Sequence, residues 1–373
     1  MGFNLGTAFS SHPAELVVFA LIVVLAVPVV GLIWVLASWY LAARLNPANL
    51  REAVAGRHIL VTGASKGLGK AIAIELAKSG ASVTLFARGQ AALDQAVSEV
   101  RSAVLKDEQI IQGFSVDLSD YDSVAKAVAS LRDHKSGLPY WVIANAGAAQ
   151  PGFLADQLPT KEQPSAVQTQ INSNYYTATN IVMAVLAACK ASAPAAANGE
   201  SGPLKIGLTH EQSKQLPAKF IFVSSAMSVL AFIGYSSYAA SKHALRGFVD
   251  AIRTELMPYS VDVHQYLPAN MATAGFEEEE KLKPKITAQI EGAGNMQAPE
   301  VAAKWLLAGV VNGRYCIAND AIVELARVSV NGAGPRPNFL AEVAATPLLA
   351  LIFTSWSMIM RGEILTYFKK KSD

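Results

Sequence analysis

The sequence predicts an α/β fold, a doubly wound parallel sheet with helices on both faces, and three observations lead to it. Apolar runs alternate with helical patterns from residue 58 to residue 317. The runs lack polar alternation, which is typical of parallel strands buried on both faces. A glycine-rich loop at 62–69 stands between the first apolar run and the first helical pattern, where such sheets bind nucleotides.

Seven strands and six helices follow from this alternation. We predict strands at 58–62, 82–86, 109–115, 140–144, 218–224, 260–267 and 314–317. We predict helices at 67–79, 90–105, 120–133, about 165–190, about 236–257 and 299–311. Together they define a domain that we place at 56–320.

Two stretches inside this domain interrupt the alternation. Residues 191–217 are rich in alanine, proline and glycine, which predicts a flexible surface insertion. Residues 275–296 carry a run of four glutamates and follow the sixth strand, near the edge of the sheet where ligands of α/β folds bind. This second stretch is either a substrate loop that closes over the ligand or a solvated acidic helix.

The N-terminal part of the chain predicts a membrane anchor at 1–46. Residues 16–45 form an apolar run that exceeds the roughly 20 residues a membrane helix needs. No Lys or Arg precedes this run, whereas Arg44, Arg51 and Arg57 follow it. The positive-inside rule therefore predicts that residue 46 onward lies in the cytosol.

A second hydrophobic stretch, 344–360, lies within a C-terminal segment that we place at 335–373. It is marginal for a full span, and basic residues lie on both sides of it. This pattern favours a shallow or re-entrant membrane contact, with an amphipathic helix packed on protein as the alternative. The final residues, 370–373, read Lys-Lys-Ser-Asp, which resembles the dilysine retrieval signal of endoplasmic-reticulum membrane proteins; a solubilising basic tail is the alternative.

Composition excludes two classes of site. A net charge of +2 over 373 residues argues against a nucleic-acid partner, which needs a broad basic face. Cys189 and Cys316 are far apart and have no metal-ligand spacing. We therefore expect no metal site, and two buried thiols in a reducing compartment.

The glycine-rich loop is the first motif that carries chemistry. Glycines let the backbone approach a pyrophosphate, and the following helix offers free N–H groups and the positive end of its dipole. A glycine-rich turn without a ligand is the alternative. The residues that we expect to contact the cofactor here are Gly63, Ser65, Lys66, Gly67, Leu68 and Gly69.

The ends of the second and third strands indicate which dinucleotide is bound. Arg88 follows the second strand, where an acidic residue would bind the ribose hydroxyl of NAD. Arg88 and Lys66 together can hold a 2′-phosphate, which favours NADPH. Asp117, followed by Leu118, ends the third strand and is placed to bind adenine; a cap on the next helix is the alternative role for Asp117.

The candidate catalytic residues follow the fourth and fifth strands. Asn145, Ala146 and Gly147 end the fourth strand and let the backbone pass close to a cofactor. Tyr238 and Lys242 are four positions apart, so a helix places them on one face, and the ammonium is expected to lower the phenol pKa. Such a phenol can exchange a proton with a carbonyl or alcohol oxygen.

Together with Ser225, thirteen residues before Tyr238, these motifs resemble the classical short-chain dehydrogenases/reductases over about residues 56–320. The resemblance implies a Rossmann-type sheet of strand order 3-2-1-4-5-6-7 and assigns catalysis to Ser225, Tyr238 and Lys242. It carries a fourth catalytic residue onto Asn174, with Asn172 as the alternative. It also implies a homo-oligomer, dimer or tetramer. Contacts with the cofactor are implied for Tyr238, Lys242 and Pro268.

Within that superfamily, the segment 273–284 resembles the 3-ketodihydrosphingosine reductases. It reads Thr-Ala-Gly-Phe-Glu-Glu-Glu-Glu-Lys-Leu-Lys-Pro. The resemblance implies NADPH-dependent reduction of 3-ketodihydrosphingosine (3-ketosphinganine), a sphingoid-base lipid, to dihydrosphingosine (sphinganine), at the endoplasmic-reticulum membrane with the catalytic domain facing the cytosol. The alternatives are a membrane-anchored reductase of a steroid or a long-chain 3-ketoacyl-CoA, and a non-catalytic NADPH-binding scaffold.

Overall fold

The computed structural model describes residues 13–44, 46–132, 137–191, 208, 210–292 and 296–372. They form two compact units. The larger unit is Ala43–Val323, and the smaller one combines Met1–Ala42 with Glu324–Asp373.

The larger unit contains a parallel sheet of seven strands in the order β3-β2-β1-β4-β5-β6-β7, which confirms the predicted order. Neighbouring strands pair in parallel throughout, as in the register Ile59–Val83 between β1 and β2. The strands are β1 (His58–Thr62), β2 (Ser82–Ala87), β3 (Ile111–Ser115), β4 (Trp141–Ala144), β5 (Lys219–Val223), β6 (Asp262–Leu267) and β7 (Cys316–Ala318).

Helices cover both faces of this sheet. The helices of both units, in the described part of the chain, are α1 (Pro13–Ala42), α2 (Pro47–Val54), α3 (Gly67–Lys78), α4 (Gln90–Arg101), α5 (Tyr121–Arg132), α6 (Ala166–Gln170), α7 (Thr177–Ala191), α8 (His210–Ser213), α9 (Ser236–Leu256), α10 (Ala274–Leu282), α11 (Lys285–Glu291), α12 (Pro299–Val311), α13 (Ala321–Val330) and α14 (Phe339–Ser372). The predicted insertion at 191–217 lies mostly outside the described residues.

The sheet has a hydrophobic core on each face, and the side chains of successive strand residues pack alternately into one core and the other. Ile59 of β1 packs in the core with Leu76 of α3 and Leu306 of α12. Leu60 packs in the opposite core with Val182 of α7. All five residues of β1 are buried, as expected for a central parallel strand. Both cysteines, Cys189 and Cys316, are buried, as predicted.

The smaller unit pairs two long apolar helices, α1 and α14, in antiparallel fashion. Near the end of α1, Ser38 accepts a hydrogen bond from Asn338, just before α14, at 2.6 Å. Earlier in α1, a Cβ atom on Gly31 would lie 2.8 Å from the carbonyl oxygen of Ala341 and 3.0 Å from the Cβ of Ala344. Glycine at position 31 therefore lets the two backbones approach closely.

A buried ion cluster joins α13 to the start of α14. Arg327 of α13 donates to Glu324 at 2.9 Å and to Glu342 of α14 at 3.1 Å. All three side chains are only 1% exposed. Arg336 completes the cluster at 3.5 Å from Glu342. Burial of charges is costly unless they are paired, so this pairing holds the two helices in one register.

By length and composition, α14 is apolar enough to cross a membrane: within Phe339–Lys370, a window of 18 residues has a mean hydropathy of 1.7. A further candidate among the described residues passes only when Ala26–Ala42 and Pro47–Val54 are counted together as one broken span. A re-entrant contact at 344–360 would require a break in the backbone, whereas this stretch lies inside the continuous helix α14. The expected re-entrant geometry is therefore replaced by a single long helix.

Candidate active site

The glycine-rich loop forms a tight turn at the carboxyl end of β1. Gly63 and Gly67 have positive φ angles of 63° and 54°, which favour glycine. A Cβ atom on Gly69 would lie 2.4 Å from the carbonyl oxygen of Gly63, so no side chain fits there. The loop brings its own backbone close to the first turn of α3.

The N-terminus of α3 has the features that a pyrophosphate site requires. Its N-cap residue, Lys66, makes no side-chain hydrogen bond to the first turn, so the first N–H groups of α3 have no side-chain cap. Free N–H groups and the positive end of the helix dipole attract phosphate oxygens. Together with the close approach at Gly69, this geometry fits a dinucleotide.

Asn145 connects the end of β4 to the glycine-rich loop. Its side-chain amide donates to the carbonyl oxygen of Thr62 at 3.0 Å, and its backbone N–H donates to the Thr62 hydroxyl at 2.9 Å. Ala146 donates to the same hydroxyl at 3.1 Å. The structure therefore joins the predicted Asn145–Ala146 motif to the loop that precedes α3.

The residues predicted to determine cofactor specificity follow β1, β2 and β3, at the same edge of the sheet. The side chains of Lys66 and Arg88 are exposed, and neither makes an ion pair within the described residues. Asp117 accepts from the backbone N–H and the hydroxyl of Ser119, whereas Asp120 caps α5. The helix-cap role therefore belongs to Asp120. Leu118 is buried in the core, and only its backbone is available to a ligand.

Helix α9 places Tyr238 and Lys242 on one face, as the spacing predicts. The Lys242 ammonium lies 5.8 Å from the centroid of the Tyr238 ring. Lys242 is 3% exposed, and its ammonium donates to the carbonyl oxygen of Val223 at 3.2 Å. A buried ammonium beside a partly buried phenol is an arrangement suited to proton transfer.

The pKa of Tyr238 differs from the expected direction. Burial raises the pKa of this phenol, a hydrogen bond with Ser225 lowers it, and the charge of Glu279 raises it further. The Lys242 ammonium faces the Val223 carbonyl, and burial lowers its own pKa to about 8. The expectation that Lys242 brings the phenol pKa below its usual value is therefore wrong for this structure, because burial is the largest influence on that pKa and raises it. The phenol stays protonated at neutral pH.

Ser225 brings a second hydroxyl to Tyr238. It follows β5 and is 9% exposed. Its hydroxyl oxygen accepts from the backbone N–H of Met227 at 3.1 Å and hydrogen-bonds the phenol of Tyr238. Beside it, the carbonyl oxygen of Pro268 accepts from the N–H of Ala226 at 3.1 Å. Two hydroxyls therefore converge where a substrate carbonyl oxygen can bind.

A π-helical turn, Ile171–Tyr176, separates α6 from α7 and carries Asn174 inward. Asn174 is fully buried and exchanges hydrogen bonds of 3.0 Å with the backbone of Ala148. A Cβ atom on Gly147 would lie 2.6 Å from the Asn174 carbonyl oxygen and 3.4 Å from the Lys242 ammonium. The structure thus brings Asn174 beside Lys242.

The competing residue, Asn172, lies away from this arrangement. Its side-chain oxygen accepts a hydrogen bond of 3.2 Å from Gln168, on the exposed side of the helix. The geometry therefore favours Asn174 over Asn172 as the residue that contacts the catalytic set.

The segment 273–291, made of α10 and α11, extends from the glycine-rich loop to the turn before Tyr238. At one end, the Thr273 methyl would lie 3.3 Å from a Cβ atom on Gly67. At the other end, the Thr287 hydroxyl donates to the carbonyl oxygen of Ile233 at 2.9 Å. This placement supports the substrate-loop interpretation over a solvated acidic helix.

Tyr235 connects this segment to the site, and none of the sequence motifs indicated it. Tyr235 is 1% exposed, donates a hydrogen bond to Glu279, and lies 6.0 Å from Tyr238 between ring centroids. Its position three residues before Tyr238 was the available signal, because that spacing puts both rings on one side of a helix start.

In the described ranges, no group of three or more His, Cys, Asp or Glu side chains could hold a metal ion.

The model of the short chain dehydrogenase family matches residues 57–200 and 207–283. The chain belongs to this family, which confirms the predicted superfamily. Solved structures agree in fold: a short-chain type dehydrogenase/reductase from Mycobacterium marinum is 21% identical and covers 72% of this chain and 95% of its own, with a TM-score of 0.56. An alcohol dehydrogenase from Thermococcus sibiricus, complexed with 5-hydroxy-NADP, gives a TM-score of 0.52 at 19% identity, over 72% of this chain and 97% of its own.

Several named relatives show which members of the family this chain resembles in sequence. A fusion protein of Schizosaccharomyces pombe, PIGF/3-ketodihydrosphingosine reductase, is 33% identical over 80% of this chain, which spans 55% of that protein. A 3-ketodihydrosphingosine reductase of Cryptococcus neoformans is 30% identical over 84% of this chain and 86% of its own length. The protein of that name from Bos taurus is 30% identical over 76% of each chain.

Family membership and the loop geometry together define the cofactor class. A nicotinamide dinucleotide fits the glycine-rich loop, whose backbone approaches closely at Gly69 and whose following helix lacks a side-chain cap.

Proposed function

We propose that this protein reduces 3-ketodihydrosphingosine to dihydrosphingosine with NADPH, a step of sphingolipid biosynthesis. The observation that carries the proposal is the convergence of the Tyr238 phenol and the Ser225 hydroxyl beside the buried Lys242 ammonium. These groups are suited to the reduction of a ketone, and the names of the relatives indicate which ketone is the substrate.

Proton delivery is the chemistry that this chain's own residues perform. NADPH, when bound, supplies the hydride. Tyr238 acts as general acid and donates its proton to the ketone oxygen, and its phenol is protonated at neutral pH, as this role requires. Ser225 donates a hydrogen bond to the same oxygen and stabilises the negative charge that develops on it.

Lys242 and Asn174 support the acid. We assign to Lys242 the binding of the nicotinamide ribose and the return of a proton to Tyr238. Asn174 would hold a water that relays protons to Lys242. This role is consistent with the approach of both side chains to Gly147. Its amide also fixes the backbone at Ala148, which keeps the end of β4 in place.

The buried ammonium predicts a pH limit on the reaction. Because the pKa of Lys242 is lowered to about 8, the side chain is charged below that pH and loses its proton above it. The kcat/KM for ketone reduction is therefore expected to be flat below pH about 7 and to fall above pH about 8, up to tenfold per unit. Tyr238 remains protonated across this range.

A pH–rate profile of wild-type enzyme and of Lys242→Arg checks this assignment. The guanidinium stays charged at every pH used, so the residual activity of the variant should show no fall near pH 8. The same fall in both proteins would assign the limit to another group.

The cofactor preference depends on Arg88 in this proposal. Arg88→Ala is expected to raise the KM for NADPH by roughly 10- to 100-fold, because a charge-assisted hydrogen bond to the 2′-phosphate is lost, and to leave the KM for NADH nearly unchanged. Steady-state kinetics with both cofactors measure this difference. Arg51→Ala, at an exposed arginine before β1, is the matched control. An equal rise for both cofactors would remove the 2′-phosphate role.

We propose that the protein acts at the endoplasmic-reticulum membrane with the larger unit in the cytosol. Exposed apolar side chains of α14, such as Leu340, Leu351 and Met358, support membrane contact. The arginines that follow α1 support the orientation. The long chain of the sphingoid ketone partitions into lipid, so membrane contact brings enzyme and substrate together. A homo-oligomer, dimer or tetramer, is part of the proposal, on family resemblance.

A substrate comparison tests the proposed function. Detergent-solubilised protein is incubated with NADPH and, separately, 3-ketodihydrosphingosine, a steroid ketone and a long-chain 3-ketoacyl-CoA, and oxidation of NADPH is followed by absorbance. Turnover of the sphingoid ketone alone is the expected result. Turnover of only one of the other ketones would replace the substrate, and no turnover with retained NADPH binding would favour a scaffold.

A further inference from the structure

One of the four consecutive glutamates of α10 differs from its neighbours. Glu277, Glu278 and Glu280 are exposed, whereas Glu279 is partly buried. Its carboxylate accepts a hydrogen bond from the phenol of Tyr235. The helix therefore presents a single carboxylate of this run towards the site side of the segment 273–291.

Glu279 stands close to the catalytic phenol. Tyr235, its hydrogen-bond donor, lies 6.0 Å from Tyr238 between ring centroids and packs with Met227 and Ala239 in one cluster. The charge of Glu279 raises the pKa of Tyr238, which places the carboxylate within electrostatic range of the reacting proton. A cation that binds Glu279 would lie beside the ketone that Tyr238 protonates.

The charges around Glu279 are not balanced. Among the described residues, Lys283 contributes the ammonium whose charge acts on Glu279, and its side chain is only 2% exposed. It pairs with Glu280 and Glu291, and it lies 4.8 Å from the centroid of the Phe276 ring. Three carboxylates, including Glu279, thus face one ammonium, and Lys283 is already committed to the other two.

Burial makes this imbalance a driving force for cation binding. Burial raises the pKa of the Glu279 carboxyl; the Tyr235 hydrogen bond and the charge of Lys283 lower it, and the charges of Glu291 and Glu280 raise it. A ligand ammonium would compensate that charge at a place where water does so poorly. The 2-amino group of the sphingoid ketone is such a cation, one carbon away from the carbonyl that is reduced.

We propose that Glu279 binds the ammonium at C2 of the sphingoid ketone and so selects 2-amino ketones as substrates. This inference rests on the proposed function. Tyr235 orients the carboxylate through its phenol hydrogen bond, and the attachment of the segment at Thr287 to Ile233 fixes the position of α10. Ketone and ammonium are then held at two neighbouring points, Tyr238 and Glu279.

The test compares two ketones in wild-type enzyme and in Glu279→Gln. One ketone is 3-ketodihydrosphingosine, and the other carries hydrogen in place of its 2-amino group. Wild type is expected to prefer the amino ketone in kcat/KM by roughly 10- to 100-fold, mainly through KM. Glu279→Gln should reduce that preference to about one, through a larger loss of kcat/KM on the amino ketone than on the amino-free ketone.

Two further variants separate recognition from folding. Glu278→Gln, an exposed neighbour on the same helix, should keep the full preference. Glu279→Asp keeps the charge and should retain part of the preference, even if Glu279→Gln proves unstable. Binding of NADPH, followed by fluorescence, reports that each variant is folded.

The outcomes distinguish this inference from the proposed function. Equal losses on both ketones in Glu279→Gln would make Glu279 a structural residue of the segment and overturn the inference, while the proposed function stands. Wild-type protein that turns over neither ketone would overturn the proposed function and this inference with it.

Discussion

Replacement of Tyr238 by phenylalanine is expected to lower ketone reduction by about 10³-fold, because the proton donor is removed while the ring remains. Tyr238 is partly buried on α9 and hydrogen-bonds Ser225, and the loss of one hydroxyl is expected to leave the packing of its ring unchanged. NADPH binding should persist, since the glycine-rich loop and Arg88 lie on other elements. Turnover measured at saturating cofactor checks the rate, and fluorescence of bound NADPH checks the binding.

A matched control is available at an exposed position. Tyr121, at the start of α5, is 39% exposed, and its replacement by phenylalanine should leave both rate and binding unchanged. Retention of most of the activity in Tyr238→Phe would contradict the assignment of Tyr238 as general acid. The substrate carbonyl would then take its proton from another group.

The second large effect is expected on stability, at the buried ion cluster of the smaller unit. Arg327→Met removes the guanidinium that pairs with both Glu324 and Glu342, each 1% exposed. Removal of one partner from a buried pair is strongly destabilising because the remaining charge is poorly compensated. We expect the free energy of unfolding to fall by about 3 kcal/mol, measured by urea unfolding in detergent.

Two comparisons make this expectation specific. Arg361→Met, at an exposed arginine of the same helix α14, should change the unfolding free energy by less than about 0.5 kcal/mol. Glu324→Gln and Glu342→Gln, added to Arg327→Met, should restore part of the loss, because no buried carboxylate then remains unneutralised. An Arg327→Met protein as stable as wild type would show that the cluster contributes only through packing.

The sheet could be predicted closely from the sequence because its strands are buried on both faces. The run from His58 to Thr62 has no polar alternation, which is typical of parallel strands buried on both faces. The helix predicted at about 165–190 was less complete. The structure inserts a π-helical turn at Ile171–Tyr176, and no local propensity marks that turn, because the contact of Asn174 with Ala148 forms only in the folded chain.

The site could be predicted in its motif residues but not in its electrostatics. The spacing of Tyr238 and Lys242 gave their common face, yet the direction of the phenol pKa depends on burial, which the spacing does not report. Glu279 could not be distinguished from Glu278 in a run of identical residues. What separates them is the phenol of Tyr235, 44 positions away along the chain.

The C-terminal segment shows the same limit. Composition identified the apolar stretch at 344–360, but flanking charges suggested a shallow contact. The continuous helix α14 pairs with α1, where Asn338 and Ser38 are 300 positions apart, and is joined to α13 by the ion cluster at Glu342. Long-range partners of this kind are invisible to a local pattern.

Transfer of deuterium from NADPH to the sphingoid ketone tests the central claim most directly. The protein is incubated with 3-ketodihydrosphingosine and with NADPH that carries deuterium at the transferred position, and the product is analysed by mass spectrometry. We expect dihydrosphingosine with one deuterium at C3 from wild type and nearly none from Tyr238→Phe. Unlabelled or absent product from the folded, NADPH-binding wild type would contradict the proposed reaction.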